Sequence, residues 1–347
     1  MSCRTGQRVA LVAWAAVAAL AAAPARAGDL DAKDLSLRMP AAFSRFATYA
    51  DVGAAGGASA ASPWSSSVNP ASSAWKPVPG DLHLSFSPQY SAIAFSEGTT
   101  LHVASEALNW DAGEWGTFQP ALAQARSNRA RTRQGLDFGL EMDVAQLQWA
   151  RRTGEDWAFG ANANFAASKT RFDFAGLDVS DSRGETYGIR FGALHRPAPQ
   201  VLAGCVFDYA FSRDRTTLYD FLGLGIGNTR VKDTTHQFLL RPGVSYEYRK
   251  DSNLYADYQF GSFVNDTGRL QVHRFPLGVD HCLAKWLFVR GGVALDTTGH
   301  AAWTTGVGLY PTERLSIDIA YQDGVFAELA PEFGRSRTIT ISISITF

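Results

Sequence analysis

Seven histidines are the first residues in this chain that could do chemistry, and their spacing argues against it. His83, His102, His195, His236, His273, His281 and His300 stand singly, with no H-E-x-x-H pair and no other metal-ligand spacing. No G-x-S-x-G elbow marks a nucleophilic serine. The sequence therefore offers no catalytic residue, no metal site and no cofactor motif, and an enzyme is not the class it suggests. The polar residues that do follow a pattern are charges set opposite apolar neighbours in alternating stretches: Asp137, Glu141, Arg190, Asp208, Arg241, Glu247, Asp257, Arg274, Arg290 and Asp318. Ionisable groups persist at membrane depth only where they are paired or wet. A lattice of ion pairs bracing a wall is the preferred reading, and a polar path for a solute is the other.

The elements that would position these charges are strands. In the stretch from Thr338 to Phe347, Ile339, Ile341, Ile343, Ile345 and Phe347 fall on one face, and Thr338, Thr340, Ser342, Ser344 and Thr346 on the other. A flat, β-branched strand of this kind would aggregate as a soluble edge. In a transmembrane barrel both faces have a solvent, lipid outside and a polar lumen inside. A last strand ending in an aromatic residue is also the C-terminal signature of bacterial outer-membrane barrels, which Phe347 fits.

Similar alternation recurs along the chain. Leu82 to Phe95 and Leu101 to Trp110 open the series, and Pro88 is expected at a bulge or edge. Gly116 to Ala125 reads as strand or helix. Leu136, Phe138, Leu140, Met142 and Val144 are expected to face lipid against Asp137, Gly139, Glu141 and Asp143, with a bulge near Ala145 that switches Leu147 and Trp149 to the other register. Trp157, Phe159, Ala161, Ala163, Phe165 and Ala167 oppose Gly160, Asn162, Asn164, Ala166 and Ser168, a length that crosses a bilayer on a tilt. Later strands turn Arg241, Glu247, Asp257, Arg290 and Asp318 inward.

Loop lengths give a second line of argument. If Phe347 ends in the periplasm, the links near Arg151, Pro197, Lys250, Ala284 and Pro311 are periplasmic and short, while Asp173 to Arg183, Arg213 to Thr235 and Asp323 to Gly334 form long external loops. Fourteen strands satisfy this parity, and twelve do if the region before Gln134 is partly helical. Trp110, Trp157, Tyr248 and Trp286 suit aromatic girdles. The loop from Arg213 to Thr235 holds Leu222, Leu224 and Ile226, apolar residues that either cap the barrel or receive a hydrophobic ligand.

The segment ahead of the strands divides in two. Arg4 and Arg8, the apolar run from Val9 to Ala23 and the Ala25-Arg26-Ala27 site form a secretory signal peptide over residues 1–27. Its removal takes three of the 32 bases and none of the 33 acids, so the mature chain is acidic and nothing suggests nucleic acid. Cys205 falls on a lipid-facing parity and Cys282 in a short turn, and two thiols or a bridge both fit. Residues 28–79 show no alternation. A short helix or two is expected within Asp31 to Phe46, then a Gly/Ala/Ser run leads to Asn69-Pro70-Ala71, flanked by Trp64 and Trp75.

That small-residue run ending in Asn69-Pro70-Ala71, after a signal peptide and just before the first strand, resembles the N-terminal hatch of the FadL superfamily of outer-membrane transporters for hydrophobic molecules. The resemblance covers about Asp51 to Ala74. It implies a hatch role for Asn69, Pro70 and Ala71, a 14-stranded barrel around them and a lateral exit for ligand through the wall. The expected protein is thus all-β: a monomeric antiparallel transmembrane barrel over 80–347 with an N-terminal hatch over 28–79. It would sit in the bacterial outer membrane among lipid and pass hydrophobic or amphipathic small molecules, with Leu222, Leu224 and Ile226 as a capture loop. A porin for polar solutes, lined by Arg190, Asp208, Arg241, Glu247, Asp257 and Arg290, and a non-transporting barrel that scaffolds a surface or secretion complex are the alternatives.

Overall fold

The computed structural model describes residues 35–43, 50–58, 60–64, 66–75, 82–128, 130–132, 135–220, 227–297 and 299–347. The expected signal peptide, and Leu222, Leu224 and Ile226, lie outside the described residues.

Fourteen strands follow in chain order, each antiparallel to the next. They are β1 (Leu84–Phe95), β2 (Thr100–Asp111), β3 (Thr117–Ser127), β4 (Asp137–Thr153), β5 (Trp157–Phe174), β6 (Leu177–Ala198) and β7 (Val201–Leu218). The second half comprises β8 (Thr229–Arg249), β9 (Ser252–Asp257 and Gln259–Asn265), β10 (Gly268–Ala284), β11 (Leu287–Asp296), β12 (Ala301–Thr312), β13 (Leu315–Asp323) and β14 (Ser336–Thr346). β14 returns to pair with β1, Ile339 opposite Ala92 and Ile345 opposite Phe86, so the sheet closes and leaves no edge. A two-residue bridge, Ala130–Arg131, lies beside β4. The ladder of β9 lapses at Tyr258 for a local reason: Pro242 on β8 lies opposite Tyr258 and Pro276 on β10 lies opposite Asp257, and neither has an N–H to donate.

The ambiguous stretch near Pro120 is strand β3, which settles the count at fourteen. Pro120 leaves its mark all the same: pairing of β2 with β3 skips from Ala107–Ala121 to Trp110–Phe118. Pro88 sits inside β1 opposite Glu106 without a bulge, although pairing with β14 lapses beside it.

Alternation assigns the faces. Ile339, Ile341 and Ile345 are exposed on the outer wall, while Thr338, Thr340 and Ser342 are buried inside. Trp110, Trp157, Tyr248 and Trp286 stand exposed at the end with the short turns. Four of the histidines decorate the outer wall as partners of tyrosines: Tyr90–His102, Tyr209–His236, Tyr248–His281 and Tyr258–His273, with O···N distances of 2.5 to 2.9 Å. Each polar ring edge is thus satisfied by its neighbour, which an apolar surround requires.

Four expectations are corrected. First, Phe138, Leu140 and Met142 are buried inside the barrel, and Glu141 and Asp143 stand exposed outside, with Asp137 on their side. No bulge intervenes; β4 pairs with β5 in one unbroken register from Asp137 to Thr153. The charges face outward because this part of β4 rises above the acyl chains, where the outer surround is polar. Secondly, the expected loop from Asp173 to Arg183 is hairpin: β5 and β6 continue to a tight turn at Ala175–Gly176, where both residues have positive φ. Thirdly, β7 and β8 run on through Leu218 and from Thr229, which shortens the link between them to 219–228. Fourthly, Cys282 lies in β10 rather than in a turn, and both it and Cys205 are free thiols.

The wall is uneven in height. β4 to β8 run 17 to 22 residues, whereas β11 to β14 run 9 to 12. A transmembrane strand needs about 9–11 residues, so the tall half stands well clear of the bilayer and the short half barely spans it.

Candidate functional site

The lumen holds two inserts with a cavity between them. The lower insert is residues 50–75. It begins with helix α2 (Ala50–Ala54), whose Ala50 and Ala54 pack on Ala320 of β13; helix α1 (Leu35–Phe43) precedes it higher in the barrel. Its seat is made by glycines that point inward from successive strands: Gly160, Gly192, Gly204, Gly278 and Gly292. A Cβ on any of these would overlap residues 55 to 71, mostly at their backbone. Glycine is required here by close approach, because the inserted chain meets the wall main chain to main chain.

Hydrogen bonds then fix this segment. The Gly56 N–H donates to Thr304 Oγ1 at 2.8 Å, and that hydroxyl donates to the Ala54 carbonyl at 2.8 Å. The Ala60 N–H donates to Asp257 Oδ2 at 2.9 Å, and Ser245 Oγ donates to the Ala61 carbonyl at 3.0 Å. Asn69 is fully buried and uses both ends of its amide. Its Nδ2 donates to the carbonyls of Ala60 (2.6 Å) and Ala193 (3.1 Å), while Oδ1 accepts from the Ala71 N–H at 3.0 Å and caps the 3-10 turn Pro70–Ala74. Pro70 occupies the first position of that turn, where a missing N–H costs nothing. Ala71 packs with Trp75, Ala158, Leu194 and Leu202, and the guanidinium groups of Arg152 and Arg196 lie 5.1 and 4.9 Å from the Trp75 ring.

The upper insert is built from the opposite end. The link 324–335 folds inward as a 3-10 turn and a short helix, α3 (Ala330–Phe333), and α1 packs beside it. Phe326, Leu329 and Phe333 join Met39, Phe95, Leu101, Phe138 and Leu140 in one buried cluster. Rings meet at 4.8 Å between Phe138 and Phe333 and at 5.6 Å between Phe95 and Phe333. A buried ion pair between Arg38 of α1 and Glu332 fastens the two parts, and Arg38 also donates to the Glu328 carbonyl at 3.2 Å.

Between the inserts lies a cavity of about 240 Å³. Pro40 of α1 touches it, as do Ser67 and Val68 of the lower insert. One flank is apolar, formed by Val103, Ala123, Ala125, Met142, Val144 and Ala166; the facing flank carries Arg190, Asp208, Asp214, Gln237, Arg241 and Gln259. An apolar cavity of about 150 Å³ is already large enough to hold benzene. Glu106, Leu122 and Gln124, which are exposed on the outer wall, also border this cavity, beside the lapse in β2–β3 pairing.

The expected lumen-lining residues separate into distinct roles. Arg190 pairs with Asp208 at 2.6 Å and donates to the Ser67 carbonyl at 2.9 Å. Arg241 hydrogen-bonds Gln259 on the cavity wall. Asp257 tethers Ala60. Arg290 is buried against Asp280, 3.4 Å away, and Asp318, and donates to Tyr310 Oη at 2.8 Å. Glu247 accepts from the Asp251 N–H at a strand turn. Asp137 and Glu141 lie on the outer side of β4. Asp214 faces the cavity above the level of the acyl chains, flanked outside by exposed Arg213 and Arg215, and its pKa is pushed up to about 6 by burial and then by Asp233 opposite it.

Among the described residues no three metal-ligating side chains gather. What the site can do is hold a small, largely apolar molecule between two inserts. The inward apolar run of β4 is the part that sequence reasoning missed, although its parity inversion relative to Leu147 and Trp149 was the available signal.

No protein-family model and no curated relative matches the chain in sequence. Solved structures do match in fold. The toluene transporter TbuX of Ralstonia pickettii aligns at 13% identity over 86% of this chain and 98% of that one, with a TM-score of 0.58. A FadL homologue of Pseudomonas aeruginosa aligns at 13% identity over 86% and 98%, with a TM-score of 0.59. The toluene transporter TodX of Pseudomonas putida aligns at 12% over 85% and 96%, with a TM-score of 0.57. At such identities the likeness is one of fold.

Proposed function

We propose that this chain is a bacterial outer-membrane channel that lets small hydrophobic molecules cross passively. One observation carries the reading: an apolar-flanked cavity lies inside a barrel that receives an insert from each end. Such a lumen suits a molecule that partitions and hops, and is a poor path for hydrated ions. Similarity in fold to transporters of toluene supports the same class of solute. Residues 28–79 act as the hatch, held at Asn69, Pro70 and Ala71. Bordering residues from both wall faces make the β2–β3 interval the exit, so that solute leaves toward lipid beside Glu106 and Leu122. The porin alternative is not favoured, because Arg190 and Arg290, two of the residues it needs, are occupied in ion pairs.

The chain acts as a monomer, exported by its signal peptide, with Leu222, Leu224 and Ile226 capturing solute at the mouth. Each such side chain, when buried, contributes about 1.5–3 kcal/mol. Changing all three to Ser is therefore expected to weaken capture well beyond tenfold, since about 1.4 kcal/mol is a factor of ten.

The test is uptake of radiolabelled toluene and of a small sugar by cells that display the protein. Faster toluene entry with unchanged sugar entry is expected. Sugar entry alone would overturn the reading in favour of a porin, and entry of neither solute would leave the scaffold.

A further inference from the structure

The tall half of the wall carries a second feature, on its outside. Register places Glu141, Lys169, Arg183, Arg215 and Lys232 side by side on β4 to β8. The row above adds Arg171, Asp181 and Arg230, and the row below holds Glu185 and Arg213. All these side chains fall on the outer face. Two of the local acids are paired with cations, Asp143 with Arg126 at 2.7 Å and Asp181 with Arg171 at 3.5 Å and Lys169 at 3.9 Å; Glu185 takes a hydrogen bond from Tyr187, and Glu141 stands at the β4 end of the row. Arg183, Arg215, Arg230 and Lys232 are exposed, and among the described residues none has a carboxylate partner.

Depth identifies what this surplus meets. Phe165, Tyr187, Phe211 and His236 form the outward row four residues below the basic one, which is about 13 Å along a strand and about 10 Å along the membrane normal at a strand tilt of about 40°. Rings at that level sit in the lipid interface, so the basic row lies at headgroup height over acyl chains. We propose that this face binds the phosphate groups of a phosphorylated lipid in the outer leaflet, with Arg183, Arg215, Arg230 and Lys232 as the ligating cations. Arginine forks match phosphate oxygens in pairs. A lipid is the source because its acyl chains have the aromatic row to pack on, which free phosphate does not use.

The test measures binding of bisphosphorylated lipid A to the purified full-length protein in detergent by native mass spectrometry. The variant R183Q/R215Q/R230Q/K232Q is expected to bind it at least about tenfold more weakly, given the strength of surface cations on anionic lipid. R335Q/R337Q, which alters exposed cations on the short half, is expected to bind as the unmodified chain does. Enzymatically dephosphorylated lipid should bind weakly to all forms, and inorganic phosphate should not compete at equal concentration. Equal binding by the quadruple variant, equal loss in the R335Q/R337Q control, equal binding of dephosphorylated lipid, or competition by phosphate would each overturn the proposal. Heat-modifiable gel mobility checks that each variant is folded. Should the quadruple variant fail to fold, R215Q and K232Q are read singly, each expected to lose several-fold.

Discussion

The two ends of the lumen are closed by different physics. Below the cavity, main chain meets main chain over glycines, and an amide, a carboxylate and a hydroxyl tie the insert down at Asn69, Asp257 and Thr304. Above it, ring meets ring around Phe138 and Phe333, with the Arg38–Glu332 pair as a pin. Hydrogen-bonded closure is discrete, since a buried donor is either satisfied or costs about 1–3 kcal/mol. Dispersion closure is graded, because apolar contacts exchange for those of an apolar guest at little cost. In the proposed channel the lower insert is therefore the barrier to water and ions, and the upper one the way in for an apolar solute.

The largest effect should follow from removing the discrete closure altogether. Deletion of residues 28–74 is expected to leave an inserted barrel whose conductance in a planar bilayer rises by more than an order of magnitude. Unchanged conductance would mean that this segment does not close the lumen.

Unpinning the upper insert ranks next. Arg38→Met leaves Glu332 buried and uncompensated, a loss of about 3–5 kcal/mol. Amide exchange in α1 and in 324–335 should accelerate by more than about 100-fold while exchange in 60–72 stays the same. Acceleration in both regions together would show that the two closures are one unit.

Asn69→Ala is the reciprocal probe. It strands the Ala71 N–H and removes the donor to Ala60 and Ala193, so exchange across 60–75 should rise by roughly tenfold, for a loss of about 1–3 kcal/mol. The upper insert should not respond.

How much of this contrast could be read from sequence differs between the ends. The pattern of β14 and of the Trp157 to Ser168 stretch is legible, because each has lipid on one side and a polar lumen on the other. Phe138 to Val144 misleads for the converse reason. Alternation separates two faces without saying which is inside, and above the acyl chains the outer face is the wet one. The hairpin through Ala175–Gly176 escapes notice since neither of its faces needs lipid. Asn69-Pro70-Ala71 stands out as a motif, yet the glycines that receive it look like any strand glycine until the inserted backbone is placed against them.

The smallest expected effect lies in the cavity wall. Asp214 has a pKa raised to about 6 from its ordinary 3.8. Folding favours its neutral form, so its stabilising contribution is complete below about pH 3.8 and is lost as pH rises through about 6. Toluene uptake should accordingly improve by a factor of a few as external pH falls from 7.5 to 5, on the order expected for discharging one group in the path. Asp214→Asn should flatten that profile near its acid limit. A profile unchanged by the substitution would remove Asp214 from the route.

The most direct test of the central claim is crystallographic. Crystals exposed to a brominated monoaromatic hydrocarbon should give an anomalous bromine peak inside the cavity, between Val103, Met142 and Val144 on one side and Arg241 on the other. Met142→Asp with Val144→Asp should abolish that peak and reduce toluene uptake without raising ion conductance. Bromine found only on the lipid-facing wall, with the cavity empty at saturating ligand, would contradict the account.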